Sequence, residues 1–357
     1  MIDANSGRSS IPRSAGAIRE RRKPQPWPKD QRFRILSIDG GGIKGLFPAT
    51  ILSELEQRYL GGDSIAGYFD LIVGTSTGGI LALGLGAGLK ASELAHLYIC
   101  RGPEIFPEPT DSTIDRIRAW WSGKRHFLYR RYEREPLEKM LRDILGKKTF
   151  GESIVRLCIP AFEGRHSEVF VFKTPHHPDY KCDRFDSMVK VALSASAAPT
   201  FFRPLEHNHY TLIDGGVWAN NPAMLAVIEA MICFDIDRSQ IDLFSIGCGD
   251  DPYVVSGDKI DFGGKFAWSD IIFAAMRLQS LSAINQARLL LGPPSVHRID
   301  PPKNPRPILL DDYRRSIDEL VPAAKSVVDE FGQDIAYTFL ARKASAYEPV
   351  PISESST

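Results

Sequence analysis

Three consecutive glycines interrupt the segment ILSIDGGGIKG, residues 35–45, immediately after a short apolar run. Glycine loses more backbone entropy on folding than any other residue, so such a run persists where bare main chain is required. The apolar run reads as a buried strand, and GLFPATILSELEQRYL after it has the apolar spacing of a helix, near 3.6 residues. The glycines therefore occupy a strand-to-helix turn. A turn of that kind offers main-chain amides either to a phosphate or to an oxyanion.

The same alternation continues along the chain. FDLIV, IVRLCIP, EVFVFK, YTLID and DLFSIG read as strands. SMVKVALSASAAP, PAMLAVIEAMICF, SDIIFAAMRLQSLSAINQARLLL and VPAAKSVVDEFGQDIAYTFLARK read as helices. Strands alternating with helices predict an α/β domain, a largely parallel central sheet flanked by helices on both faces. No internal break divides residues 33–345, which read as one domain. Residues 1–32 read as a flexible basic tail and residues 346–357 as a disordered end; positions 1–34 carry nine Lys and Arg against three Asp and Glu.

With 357 residues and 43 % apolar content the chain can bury a large core. Lys and Arg balance Asp and Glu at 44 each, so net charge gives no reason to expect DNA or RNA as a partner. The five cysteines are widely spaced without a CxxC pair, which argues for a reducing compartment and against a disulfide framework or a structural zinc site. The amino terminus lacks the apolar run of a secretory signal, and GILALGLGAGL at 79–89 is too short to span a bilayer. These features predict a cytoplasmic protein.

After FDLIV comes GTSTGG, in which Gly74, Ser76 and Gly78 form G-x-S-x-G between a strand and a helix. That context is the setting of a nucleophile elbow, a sharp turn that holds a serine exposed at a helix amino terminus. In a parallel sheet the glycine loop and the elbow both fall at strand carboxyl ends, where α/β sheets place their sites. Gly41 and Gly42 then become oxyanion donors opposite Ser76, with the Thr77 amide as a third. The rival nucleotide-binding reading fits less well. GGGIKG is not a P-loop, because Lys44 precedes the last glycine; Gly40, Gly42 and Gly45 match G-x-G-x-x-G, but no acidic residue ends a second strand about 20 residues on.

A serine nucleophile needs a base. The histidines lie mostly in polar loops, with His209 and His297 as spare candidates. Asp214 closes the strand YTLID and is followed by Gly215 and Gly216, which allow a sharp turn and a close approach. A desolvated carboxylate held on the hydroxyl can serve as base directly; a simple turn aspartate is the alternative.

Taken together, DGGGIKG, GTSTG, ASAAPTFF at 195–202 and DGG at 214–216 resemble the patatin-like phospholipase family in both order and spacing, over about residues 33–300. The resemblance implies a patatin-like three-layer α/β fold and a Ser76–Asp214 dyad without histidine. Lipid esters would be hydrolysed through an acyl-enzyme with neither metal nor cofactor. Lys44 stands where that family carries Arg or Lys and would be a general anion contact, or a solvated surface lysine. The single domain and basic tail also resemble the bacterial antiphage effectors of the family, which implies a cyclic dinucleotide activator, a homo-oligomer and action at the inner membrane surface.

Residues 114–135, IDRIRAWWSGKRHFLYRRYERE, interleave seven cationic residues with five aromatics. Trp120 and Trp121 beside Arg116, Arg118, Lys124 and Arg125 suit a phospholipid surface, an anionic nucleotide, or a lid helix packed on the body. FGGKFAWSD at 262–270 reads as a connecting loop near the site. Two other functions compete with a phospholipase: a soluble esterase or thioesterase, and a binding or storage protein without catalysis.

Overall fold

The structure is a computed structural model and describes residues 22–107, 132–249, 271–303 and 306–351. The glycine loop separates β1 (Phe33–Ile38) from α1 (Leu46–Tyr59). The serine elbow separates β2 (Leu71–Gly74) from α2 (Thr77–Gly86), and α3 (Ala91–Ile105) and α4 (Glu135–Leu145) follow. Next come β3 (Arg156–Glu163), β4 (Glu168–Lys173), α5 (Met188–Ala195), β5 (Leu205–His207) and β6 (Tyr210–Asp214). The remaining elements are α6 (Ala223–Cys233), β7 (Ile241–Ile246), α7 (Ile271–Leu291), β8 (Val296–Ile299) and α8 (Val321–Ile335).

The strands form one mixed sheet in the order β5-β6-β3-β2-β1-β7-β8, with β4 also paired to β3. The five-strand run from β3 to β8 is parallel throughout, whereas β4, β5 and β6 join antiparallel. Every residue of β1 and β2 is buried, as expected for parallel strands with both faces covered. Side chains alternate across the sheet. Leu36, Ile38 and Ile72 enter the larger core with α1, α2 and α3, while Phe33, Ile35, Leu71 and Val73 enter a second core with α6 and α7.

β3 decides where the site falls. β4 takes one of its edges along Cys158–Glu163, and the opposite edge is shared end to end. β2 pairs parallel with Arg156–Cys158, and β6 pairs antiparallel with Ala161–Glu163. The two strands therefore point at each other. Val73 faces Cys158 and Asp214 faces Ala161, so the gap between their ends is about 10 Å at some 3.3 Å per residue.

Residues 22–32 are not a tail. Gln25 bridges to the end of α6 through Gln25 N–H to Cys233 O and Asp235 N–H to Gln25 O, both 2.8 Å. Trp27 is buried with its ring centroid 4.8 Å from that of Phe33 and 5.3 Å from that of Phe234. At the other end, Tyr347 and Val350 touch the body, although the residues around them are exposed. The Arg156 guanidinium lies over the Tyr347 ring, and Val350 accepts from Arg184 at 2.9 Å.

Candidate active site

The elbow at the end of β2 is built by close approach. A Cβ on Gly74 would lie 2.0 Å from the Gly78 carbonyl oxygen, and one on Gly78 would lie 2.3 Å from that of Ile38. With side chains absent there, the first turn of α2 sits directly on the ends of β1 and β2. Ser76, between them, takes φ 53°, ψ −118°, a region costly for a residue with a side chain. Thr75 fastens the turn, its hydroxyl donating to Ala219 O at 2.6 Å.

The glycine loop leaves β1 beside it. Gly40 N–H donates to Asn220 O at 3.0 Å and Ile43 N–H to Leu310 O at 2.9 Å. Between them, the Gly41 and Gly42 amides meet no acceptor among the described residues, and neither does that of Thr77. All of these residues line the same cavity as Ser76. Gly42 has φ +58°, and its missing Cβ would fall 2.3 Å from Leu310 O, so both conformation and space demand glycine. Gly45 and Gly215 pack against Thr77 and Pro160, and Gly216 lines the cavity.

Asp214 arrives from the far side of the gap. The Ser76 side chain faces its carboxylate in the same cavity, and Gly216 N–H donates to Oδ1 at 2.7 Å. The Trp218 indole pins the turn by donating to Ala161 O at 2.9 Å. Burial raises the Asp214 carboxyl to a pKa of about 6, against the opposing pull of the nearby Ser76 hydroxyl and the Gly216 hydrogen bond. This is a carboxylate poised to take a proton near neutral pH, facing a hydroxyl in the same cavity.

The cavity has a volume of about 200 Å³, and beyond the polar end its walls are apolar, with Ile80, Ile105, Phe106, Leu137 and Met140 among them. The Tyr98 hydroxyl, buried at the cavity wall, hydrogen-bonds to the Thr77 hydroxyl and fixes the residue after Ser76.

The structure thus brings together Ser76, Asp214, Gly41, Gly42 and Thr77. Lys44 is a correction. It is neither a free anion contact nor a solvated lysine, because the tight turn at Gly42–Gly45 carries it inward, 6 % exposed, to donate to Gly249 O at 2.8 Å. His209 lies in the β5–β6 turn and His297 packs on Phe339; neither lines the cavity. Arg116, Arg118, Trp120, Trp121, Lys124 and Arg125 lie outside the described residues, as does the loop at 262–270.

Three features escape sequence reading. Arg298 on β8 makes a two-pronged, buried ion pair with Asp39, the first residue of the glycine loop, at 2.9 and 2.7 Å. Asn220 ties that loop to α7 through Ser280 at 3.1 Å. Away from the cavity, Glu229 is buried among Lys173 at 2.5 Å, His176 at 3.2 Å, Tyr180 and Cys233. Cys158, His176 and Glu229 are close enough together to hold a metal ion, but the Lys173 ammonium already balances the carboxylate. Only the DGG-x-x-x-N-N-P context of Asn220, following Asp214, carried a usable signal.

The sequence model of the patatin-like phospholipases matches residues 36–227. The cGAMP-activated phospholipase of Escherichia coli (strain TW11681) is 34 % identical over 241 residues, 63 % of this chain and 64 % of that protein. The cGAMP-activated phospholipase of Vibrio cholerae serotype O1 is 34 % identical over 248 residues, 64 % of this chain and 68 % of that protein. The matches therefore span roughly two thirds of those relatives' lengths. Among solved structures, VipD from Legionella pneumophila aligns over 84 % of this chain and 67 % of its own at 12 % identity, with a TM-score of 0.39. Matched by the family over more than half its length, through the loop, the elbow and the strand that ends at Asp214, this chain belongs to the patatin-like phospholipases.

Proposed function

We propose that this chain is a lipid acyl hydrolase of phospholipase A type that cleaves membrane glycerophospholipid esters. The observation that carries the reading is that Ser76 and the buried Asp214 carboxylate share the polar end of an apolar cavity with amides that meet no acceptor among the described residues. An acyl chain in the cavity would bring its ester carbonyl to Ser76. Asp214 takes the hydroxyl proton as the oxygen attacks, and the Gly41, Gly42 and Thr77 amides receive the developing oxyanion. Asp214 returns the proton to the departing lysolipid oxygen, leaving an acyl-serine. It then takes a proton from water, which attacks the acyl carbon and releases the fatty acid while Ser76 recovers its own proton. Ser76, Asp214 and main-chain amides handle every charge in this cycle, so it calls on no cofactor.

Relatives named as cGAMP-activated phospholipases support a cyclic dinucleotide activator. Action in defence at the inner membrane surface is part of the proposal. Oligomerisation on activation belongs to the same proposal. No described helix is long and apolar enough to cross a membrane, so the lipid is taken to be met at its surface.

The test is fatty acid release from mixed-chain phospholipid vesicles, with and without a panel of cyclic dinucleotides. Release that is raised by a dinucleotide and abolished in Ser76→Ala is expected. Hydrolysis of short soluble esters alone would point to an esterase, and full activity in Ser76→Ala would end the reading.

A further inference from the structure

The glycine loop opens on an aspartate, and an aspartate there has a competing use for the amides behind it. Asp side chains readily accept from main-chain N–H groups two and three residues on, the contact that makes them good caps and turn starters. Counted from Asp39, those residues are Gly41 and Gly42. Their amides are the ones left without an acceptor among the described residues beside Ser76.

The Asp39 carboxylate is committed elsewhere. Arg298 donates to Oδ1 at 2.9 Å and to Oδ2 at 2.7 Å, with both side chains almost wholly buried, 6 % and 2 % exposed. Arg298 is in turn held by Ser245 Oγ at 2.8 Å and by Asp300 at 2.9 and 2.6 Å. β7 lies between β1 and β8, so the guanidinium reaches across a whole strand to the loop. The end of β7 leaves room for it only because residue 247 is glycine; a Cβ there would fall 2.4 Å from the guanidinium. Buried ion pairs can often be replaced by apolar residues without loss of stability, so fastening the loop is a weak reason for this one.

We infer that Arg298 is a positioning residue that keeps the Asp39 carboxylate off the Gly41 and Gly42 amides, so that they stay open for the substrate oxyanion. This rests on the reading of those amides as oxyanion donors. Without the guanidinium, Asp39 is a buried carboxylate short of its principal partner, with donors at the spacing its side chain prefers. Capping them would fill the hole with negative charge where negative charge must develop.

The test compares wild type, Arg298→Met, and Asp39→Leu/Arg298→Met on a soluble ester, together with hydrogen exchange over residues 39–45 read by mass spectrometry. Arg298→Met should lower kcat by about 100-fold, the effect of a lost oxyanion donor, with KM within a factor of about three. Exchange at Gly41 and Gly42 should slow. Removing the cap as well should recover at least about ten-fold in kcat. A guanidinium that merely braced the loop would give faster exchange in Arg298→Met and a double variant no better than the single; either result overturns the inference, as does an unchanged kcat in Arg298→Met. If Arg298→Met does not fold, the double variant decides: kcat within about ten-fold of wild type supports the inference, and a fall to the Ser76→Ala background ends it. If wild type itself shows no Ser76-dependent hydrolysis, the proposed function has failed, while the exchange measurement still reports the cap.

Discussion

Ser76 and Asp214 meet in one cavity, the hydroxyl near enough to the carboxylate to pull its pKa down, although the two residues come from strands that never pair with each other. β3 is long enough to carry β2 on the first half of one edge and β6 on the second, running in opposite senses. Each functional side chain therefore leaves its strand into the same gap. The strained elbow on one side and the Gly216 hydrogen bond on the other hold them in register.

The burial that lifts Asp214 to about 6 sets the pH profile. A base must be ionised, so kcat/KM should rise with pH, inflect near 6 and level off above it. Asp214→Asn should lower kcat by about 10³-fold, within the usual range for a lost general base, and remove that inflection. Initial rates on a soluble ester between pH 4.5 and 8.5 check both.

The same shift makes the carboxylate a cost to the fold. Folded Asp214 holds its proton up to about 6 against the ordinary 3.8, so it binds protons more tightly than the unfolded chain, and stability falls as pH rises through that window. At pH 8 the cost is about 3 kcal/mol. Asp214→Asn should melt several degrees above wild type at pH 8, and this advantage should vanish below pH 4. Thermal unfolding at both pH values reads it; a lower melting temperature at pH 8 contradicts it.

Glu229 shows the opposite sign. Burial alone would raise its carboxyl, but the His176 hydrogen bond and the Lys173 charge hold it well below the usual carboxylate range. It therefore adds stability above its unfolded value of 4.5, which is lost only as pH falls through the depressed folded value. Lys173→Met, which leaves the charge buried without its ammonium, should cost about 3–5 kcal/mol at pH 7. Lys173→Met/Glu229→Leu should cost much less. Denaturant titration of both variants checks the order.

Trp27 sits in a ring cluster with Phe33 and Phe234, so Trp27→Ala should destabilise by about 3 kcal/mol. Leu289→Ala, at 86 % exposure, should stay within about 0.5 kcal/mol. Equal effects in denaturant would show that residues 22–32 do not hold to the body.

What sequence reading reached and missed follows from range. DGGGIKG, GTSTGG and YTLIDGG each announce a strand end and a turn within one short window, so Ser76 and the candidate amides could be named from local pattern, while Asp214 stood beside a simple turn aspartate until the family resemblance favoured it. The strand and helix segments read from apolar spacing between β1 and α8 also recur in the fold, because burial imposes that spacing. Lys44 misled because one tight turn reverses the side expected of a charged residue. Trp27 misled because its neighbours are Pro, Gln and Lys, although its ring packs on α6, far along the chain. Arg298 was illegible for the same reason as the antiparallel join of β6: both are set by which strand ends lie side by side, and no local spacing records that.

The most direct measurement is the mass of the peptide containing Ser76 after a short, acid-quenched reaction with a phospholipid or a slowly hydrolysed ester, run with and without cyclic dinucleotides. The account expects an acyl adduct on Ser76 that is absent in Ser76→Ala and forms far more slowly in Asp214→Asn. Turnover in wild type with the acyl group on another residue, or unchanged adduct formation in Asp214→Asn, would contradict it.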